Sequence, residues 1–276
     1  MGLTVEQVYM NMLTRFDEVC RRHHLRYYLA YGTCIGAVRH KGFIPWDHDV
    51  DVIMPIEDAL KLTRYQNELG PKYFVQSWRT DPHYINIAYK LRDSDTAYVW
   101  DEYKKLDFNQ GIAMDIYPFY NCPKTRMGLL LNIWRSHIYK ILVAGSVPIN
   151  HGRFSKILAK VVLMIFKGKY REKMIRRMDH KLRSVPEGKE VLDYYGEDIS
   201  FCSAITYDKE WFGEPKLIEF EGKQFFGPQD PEKYLTRRYG DFMTLPPKEK
   251  QVDPYEGADL IIDPNRSYKN YLELDR

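Results

Sequence analysis

Asp47, Asp49 and Asp51 stand at alternate positions in the run Trp46-Asp-His-Asp-Val-Asp-Val52. On an extended strand, alternate side chains leave the same face, so the spacing predicts a row of carboxylates on a common surface. Such a row repels itself unless a cation lies between its members. Hard oxygen donors suit Mg²⁺ or Mn²⁺. Asp49 and Asp51 are the leading ligands; Asp47 is a third, directly or through water, or else a turn cap. Just upstream, Gly32-Thr33 follows an apolar run that reads as a strand. A tight strand-to-helix turn there leaves backbone N–H groups for a phosphate. A phosphate cradle beside a metal-binding Asp-x-Asp is the minimum kit for phosphoryl or nucleotidyl transfer.

Asp115 lies inside the apolar run Ile112-Ala-Met-Asp-Ile-Tyr. A carboxylate there is costly unless paired or metal-bound. It reads as a metal ligand, as a general base for an acceptor hydroxyl, or as half of a salt bridge. The catalytic set is therefore Asp49, Asp51 and Asp115, and the metal set adds Asp47. Arg39, Lys90 and Arg92 are the cations available to a diphosphate, with Lys90 and Arg92 alternating on one strand. His40 and His48 are either partners of the acids or ordinary loop residues. Trp46 and Tyr117 flank the acidic stretches, for stacking or for core packing. Cys/His zinc spacing and a Gly-x-Ser-x-Gly elbow are both absent from the sequence.

The elements that must position these groups follow from pattern. Thr4 with Gln7 is a capping box, and Val5, Val8, Met12, Phe16, Val19 and Cys20 recur at helical spacing, predicting a helix over 4–24. A strand is expected over 26–31, a short helix over 33–40 ended by Gly42, a loop at 43–46 and the acidic strand over 49–54, its Val50, Val52 and Met54 facing a core. A helix over 57–69 ends at Gly70-Pro71, and strands follow at 73–77, 86–92, 98–100 and 112–116. Residues 127–182 read as helical, split by the turn signals Pro148-Ile-Asn-His-Gly152. Residues 199–221 are mixed, 228–240 helical, and the tail from Gln251 is polar and expected to be poorly ordered.

The 276 residues suffice for one large domain or two small ones. The net charge of +3 hides an asymmetry: residues 124–183 hold fifteen Lys or Arg against two acids, Glu172 and Asp179, so this segment carries +13 and the remainder −10. Its longest apolar run, 161–166, is far below the ~20 residues of a membrane span. A basic, apolar, non-spanning stretch fits a membrane-surface helix or a solvated basic face on core helices. With no nucleic-acid motif beside it, nucleic acid is not an expected partner. Scattered Cys20, Cys34, Cys122 and Cys202 suggest free thiols in a reducing compartment. The first residues show neither a basic-apolar leader nor a myristoylation motif, so a cytoplasmic protein is expected, peripheral on the inner face of the cell membrane.

The stretch Tyr31-Gly-Thr-Cys-Ile-Gly-Ala-Val-Arg-His-Lys-Gly-Phe-Ile-Pro-Trp-Asp-His-Asp-Val-Asp-Val resembles the signature of the LicD family, with His48 where the family usually has Asp. Gly111-Ile-Ala-Met-Asp-Ile-Tyr-Pro-Phe is similar to the family's second acidic strand, and Tyr239-Gly-Asp-Phe-Met-Thr-Leu-Pro-Pro-Lys-Glu-Lys to its C-terminal block. The three blocks span roughly residues 25–252, and fukutin-related protein looks like a distant relative. The resemblance implies an α+β, nucleotidyltransferase-like mixed sheet flanked by helices, with Asp115 completing the acid site. It implies residues 1–123 as catalytic core, 124–185 as an inserted basic helical region and 186–276 completing the catalytic domain. It implies a Mg²⁺- or Mn²⁺-dependent transfer of phosphocholine from CDP-choline to a sugar hydroxyl of a lipid-linked teichoic acid or lipopolysaccharide precursor, with CMP leaving and Gly32, Thr33, Arg39, His40, Lys90 and Arg92 holding substrate. Other CDP-alcohols (ribitol, glycerol, ethanolamine), nucleotidyl transfer, and a silent nucleotide-binding adaptor are the alternatives.

Overall fold

The computed structural model describes residues 2–147, 152–195, 199–253 and 255–274. Helix α1 (Val5–Arg22) starts on the Thr4–Gln7 capping box and buries Val8, Met12, Phe16, Val19 and Cys20. After it come β1 (Tyr28–Leu29), α2 (Tyr31–Ile35) running into a wider π turn (Gly36–His40), β2 (Asp51–Pro55), α3 (Ile56–Leu62), α4 (Gln66–Leu69), β3 (Tyr73–Gln76), β4 (Tyr89–Asp93), β5 (Ala97–Trp100) and β6 (Ile112–Asn121). Helices α5 (Arg126–Ala144), α6 (Arg153–Ile165) and α7 (Gly168–Arg183) follow. The chain then returns through β7 (Glu190–Asp193), β8 (Tyr207–Asp208), the hairpin β9 (Lys216–Phe220) and β10 (Lys223–Gly227), α8 (Pro231–Tyr239) and β11 (Leu260–Asp263).

The central sheet runs β1-β2-β6-β4-β3, with β7 continuing along β6 and β8 along β7. Only the β2–β6 pair is parallel; the others are antiparallel. This is the expected α+β mixed sheet flanked by helices. Strand β6 is ten residues long, twice the predicted run, because Pro118 sits where pairing with β4 has stopped at Ile116 and pairing with β7 begins at Phe119. A residue without an N–H is tolerated in that gap.

Several boundaries differ from expectation. The strand at 26–31 shrinks to two residues because Tyr31, at φ 47°, already turns into α2. The helix that follows ends on Lys41, itself left-handed at φ 63°, one residue before Gly42. The acidic strand begins at Asp51, so Asp47 and Asp49 precede it in a loop pinned by an Ile44–Asp47 bridge. The basic region contains three helices where two parts were expected, the second break falling at Phe166-Lys167, where the apolar pattern of α6 gives way to the polar start of α7. The turn expected at 148–152 lies, but for Gly152, outside the described residues. The tail is not loose: β11 pairs antiparallel with β5, and Tyr268 is buried beside Ala97 and Val99. The apolar Leu260-Ile-Ile triplet supplies that strand.

The arm α5–α7 is tied to the body through Asp179 of α7, which takes Arg79, Arg183 (3.1 Å) and the Tyr139 hydroxyl (3.3 Å). Arg171 caps α5 by donating to the carbonyls of Leu142 and Val143 at 2.6 and 3.1 Å, as a cation at a helix C-terminus should. Helix α6 is apolar on two sides. Ala159 and Val162 are buried, while Phe154, Ile157, Val161, Met164 and Ile165 stay 42–66% exposed along the opposite stripe. Met127, Leu131 and Trp134 of α5 extend it, Trp134 meeting Phe154 edge-on at 6.2 Å between ring centroids.

Candidate active site

Pairing register brings the acids together. Asp51 of β2 lies opposite Asp115 of β6, and Lys90 of β4 lies opposite Asp115 from the other side. Lys90 Nζ forms an ion pair with Asp115 Oδ1, both side chains about one-fifth exposed. Thr33 fixes the approach of the acidic strand: its hydroxyl accepts from the Asp51 N–H at 2.8 Å and reaches the Asp49 carbonyl at 3.5 Å. This task of the hydroxyl comes in addition to the phosphate contact expected of the backbone N–H groups of Gly32 and Thr33. Asp47 lies against Gly32: a Cβ there would sit 2.4 Å from Asp47 Oδ2 and would have to displace that carboxylate.

The electrostatics are those of a crowded negative site. Burial pushes the Asp49 carboxyl up to about 8, with Asp47 and Asp115 adding repulsion and Lys90 pulling it down. Asp51 is raised well above the ordinary range, by burial first and then by Asp49, Asp115 and Asp47. Asp47 is raised by burial and relieved in part by its hydrogen bond with Asp49. Lys90 is the cation that enters the Asp49 and Asp51 balances, and it is already engaged by Asp115.

The donor set fits a hard divalent ion in kind and charge. Asp51 Oδ1 is buried with no hydrogen-bond partner, a costly state for a carboxylate oxygen that a cation would relieve. The arrangement is not a finished cage: among the described residues, no group of three His, Cys, Asp or Glu side chains is poised around one point. Asp115 is engaged by Lys90, so among these acids Asp51, with its unpartnered buried oxygen, is the one that most lacks a counter-charge.

A cavity of about 600 Å³ opens over this floor, within the range of small-molecule sites. Asp49, Asp115, Lys90 and Arg92 line its base, and His137, Lys140, Ser155 and Leu158 of the arm line the far wall. Arg92 does point to this side, as its alternation with Lys90 predicts, but it is buried and donates to Gln76 Oε1 at 2.8 Å and to the Gly111 carbonyl at 2.7 Å. It shapes the base more than it offers a free charge. Arg39, His40, Asp47, Asp51, Gly32 and Thr33 do not line the cavity, Asp51 lying behind its neighbours Asp49 and Asp115. Arg39 donates to the Phe242 carbonyl and lies against His40, whose ring meets Trp46 edge-on. His48 pairs with Glu6 at 3.3 Å. Tyr117 packs against Tyr31 and Tyr195, and neither it nor Trp46 lines the cavity.

Lys140 was not foreseen. Burial in the cavity wall lowers its ammonium to about 8, with Asp193 acting the other way. Within a run of basic residues nothing in the sequence distinguishes it. Nor did the sequence single out Tyr98, Trp100 and Tyr255, which also line the cavity, although the alternation of the first two on a short strand was visible.

Comparison with known proteins shows the family. The family model described as LicD/FKTN/FKRP, nucleotidyltransferase domain, matches residues 24–140, a span containing Thr33, Asp49, Asp51, Lys90 and Asp115. The chain is 30% identical over 271 residues to the lipopolysaccharide cholinephosphotransferase LicD of Haemophilus influenzae, covering 88% of this chain and 92% of that protein. Uncharacterized proteins of Rickettsia prowazekii and Rickettsia typhi are each 40% identical over 101 residues, 37% of this chain and 36% and 30% of theirs.

Proposed function

The chain belongs to the LicD family, and on that premise we propose that it is a transferase that moves phosphocholine from CDP-choline to a sugar hydroxyl of a cell-surface glycan precursor, lipopolysaccharide or teichoic acid, releasing CMP. The observation that carries this reading is a cavity lined both by Asp49, Asp115 and Lys90 and by residues of the basic arm. The acceptor oxygen attacks the phosphorus that bears choline, and the bond from that phosphorus to the CMP oxygen breaks. The acceptor proton passes to a carboxylate of the base, Asp115 being the one that faces the cavity beside Lys90. Lys90 supplies positive charge to the phosphoryl oxygens, and Lys140, near neutrality in its proton affinity, adds a second cation from the opposite wall. Asp49 and Asp51 would hold Mg²⁺ or Mn²⁺, which when bound neutralises diphosphate charge and stabilises the leaving group.

The arm has a role in the same scheme. Residues 124–185 form an acceptor-facing insertion between the two parts of the catalytic domain, 1–123 and 186–276. No described helix is long and apolar enough to cross a membrane, yet α6 holds an apolar stripe in solvent beside Arg153, Lys156 and Lys160. Cations flanking an exposed apolar face suit an anionic bilayer surface, where a lipid-linked acceptor would be found, on the cytoplasmic side.

The test is to incubate the full chain with CDP-choline, Mg²⁺ and an acceptor glycan and to follow both products. Free CMP with a phosphocholine-bearing glycan is expected. Nucleotide retained on the glycan would overturn phosphocholine transfer in favour of nucleotidyl transfer, and turnover confined to CDP-ribitol, CDP-glycerol or CDP-ethanolamine would overturn the choline assignment.

A further inference from the structure

Strand β5 alternates cleanly. Ala97 and Val99 are fully buried, while Tyr98 and Trp100 project from the other face into the cavity. Strand β11 pairs along β5, Trp100 opposite Leu260 and Tyr98 opposite Ile262, and this pairing carries the preceding segment back across the strand. Tyr255, whose N–H donates to Asp253 Oδ1 at 2.8 Å, thereby comes over both rings. Ring centroids lie 6.4 Å apart for Tyr98–Trp100 and 6.0 Å apart for Tyr98–Tyr255 and Trp100–Tyr255, with interplanar angles of 71°, 90° and 70°. Three mutually steep planes make a corner, not a stack. Three aromatic side chains meeting edge-to-face on one cavity wall offer π surface to a cation, and Glu102 adds a carboxylate on the lining of the same cavity.

We propose that Tyr98, Trp100 and Tyr255 form the recognition site for a quaternary ammonium group, set in the same cavity as the acidic base. The assignment deepens the transfer reading above and rests on it. A trimethylammonium is a cation that cannot donate a hydrogen bond, so only charge and shape can recognise it. A corner of aromatic faces with a nearby carboxylate offers both. A polyol would need free hydrogen-bond donors and acceptors on that wall, and the Tyr98 and Tyr255 hydroxyls are engaged with each other. The phosphate of a phosphocholine unit would then lie toward Lys90 and Asp49, because they line the same cavity. The C-terminal segment thus acts as a specificity element: without β11 on β5, Tyr255 has no reason to lie over Trp100.

The experiment compares CDP-choline with CDP-ethanolamine in the full chain carrying Trp100→Leu, Trp100→Phe and Tyr255→Leu, with melting temperatures recorded alongside. For Trp100→Leu, kcat/KM for CDP-choline should fall about 10-fold, mostly through KM, while CDP-ethanolamine changes less than about 3-fold. Trp100→Phe, which keeps a π face, should recover most of the loss. Tyr255→Leu should behave like Trp100→Leu. Equal losses on both donors, or a Trp100→Phe as impaired as Trp100→Leu, would show a structural role and overturn the cation site alone. Unchanged preference in all three variants would overturn it too. Wild-type chain that uses a polyol donor and no CDP-choline would overturn the donor reading, and the site with it.

Discussion

The acidic base of the cavity and the arm that walls it are built on opposite terms. The base is negative and self-repelling: burial and neighbouring carboxylates raise Asp49 and Asp51 above the ordinary carboxylate range, β2 and β6 setting Asp51 beside Asp115 and the loop before β2 bringing in Asp49. The arm is positive, exposed and apolar, with no acid between Lys124 and Arg171 and a stripe of large side chains in water. Each region carries a cost that a partner would remove, a divalent ion for the first and a lipid surface for the second. Under the proposed function, the unfavourable features of the chain are the places where its ligands would bind.

The sharpest way to break this comparison is at the base. Asp51→Asn should reduce transfer by roughly 10³-fold, as loss of a charge-organising group in a dry site does. It should nonetheless raise the metal-free melting temperature at pH 8, because a neutral amide no longer repels Asp49 and Asp115; activity and calorimetry on one preparation check both. Next in size is Lys90→Met, expected to lower transfer about 10²-fold and, unlike Asp51→Asn, to lower the metal-free melting temperature by leaving Asp115 without its counter-charge. Parallel melts show whether the two signs differ. The smallest effect on chemistry belongs to the arm. Ile157→Gln with Met164→Gln should cut sedimentation with anionic vesicles about 10-fold and leave turnover of a water-soluble acceptor within about 2-fold. Vesicle binding equal to wild type would remove the membrane from the account.

What the sequence revealed follows the same division. The Thr4–Gln7 box, the apolar spacing of α1 and the paired acidic blocks were legible because local pattern determines them. The parallel pairing that sets Asp51 opposite Asp115 was implied only by resemblance, since register between strands sixty residues apart leaves no local mark. The use of the Thr33 hydroxyl as an acceptor for the Asp51 N–H was not legible, because it depends on a loop closing back eighteen residues later. The tail was read as loose because its short apolar triplet gains meaning only on the edge of β5. Lys140 and the Tyr98–Trp100–Tyr255 corner were invisible for the same reason: each is defined by what tertiary structure brings to it.

The central claim is that mutual repulsion among Asp49, Asp51 and their neighbours is relieved by a divalent ion. An acid whose folded pKa is raised keeps a proton that the unfolded chain has lost, so without metal the stability is full below the ordinary value of 3.8 and declines as pH rises toward about 8. The most direct measurement is the melting temperature of wild type and Asp51→Asn, with and without Mn²⁺, from pH 5 to pH 8. The account predicts metal-free wild type melting lower at pH 8 than at pH 5, a Mn²⁺-induced rise that grows with pH, and little Mn²⁺ effect in Asp51→Asn. A wild-type melt indifferent to Mn²⁺ at pH 8, or an Asp51→Asn that responds as strongly as wild type, would contradict it.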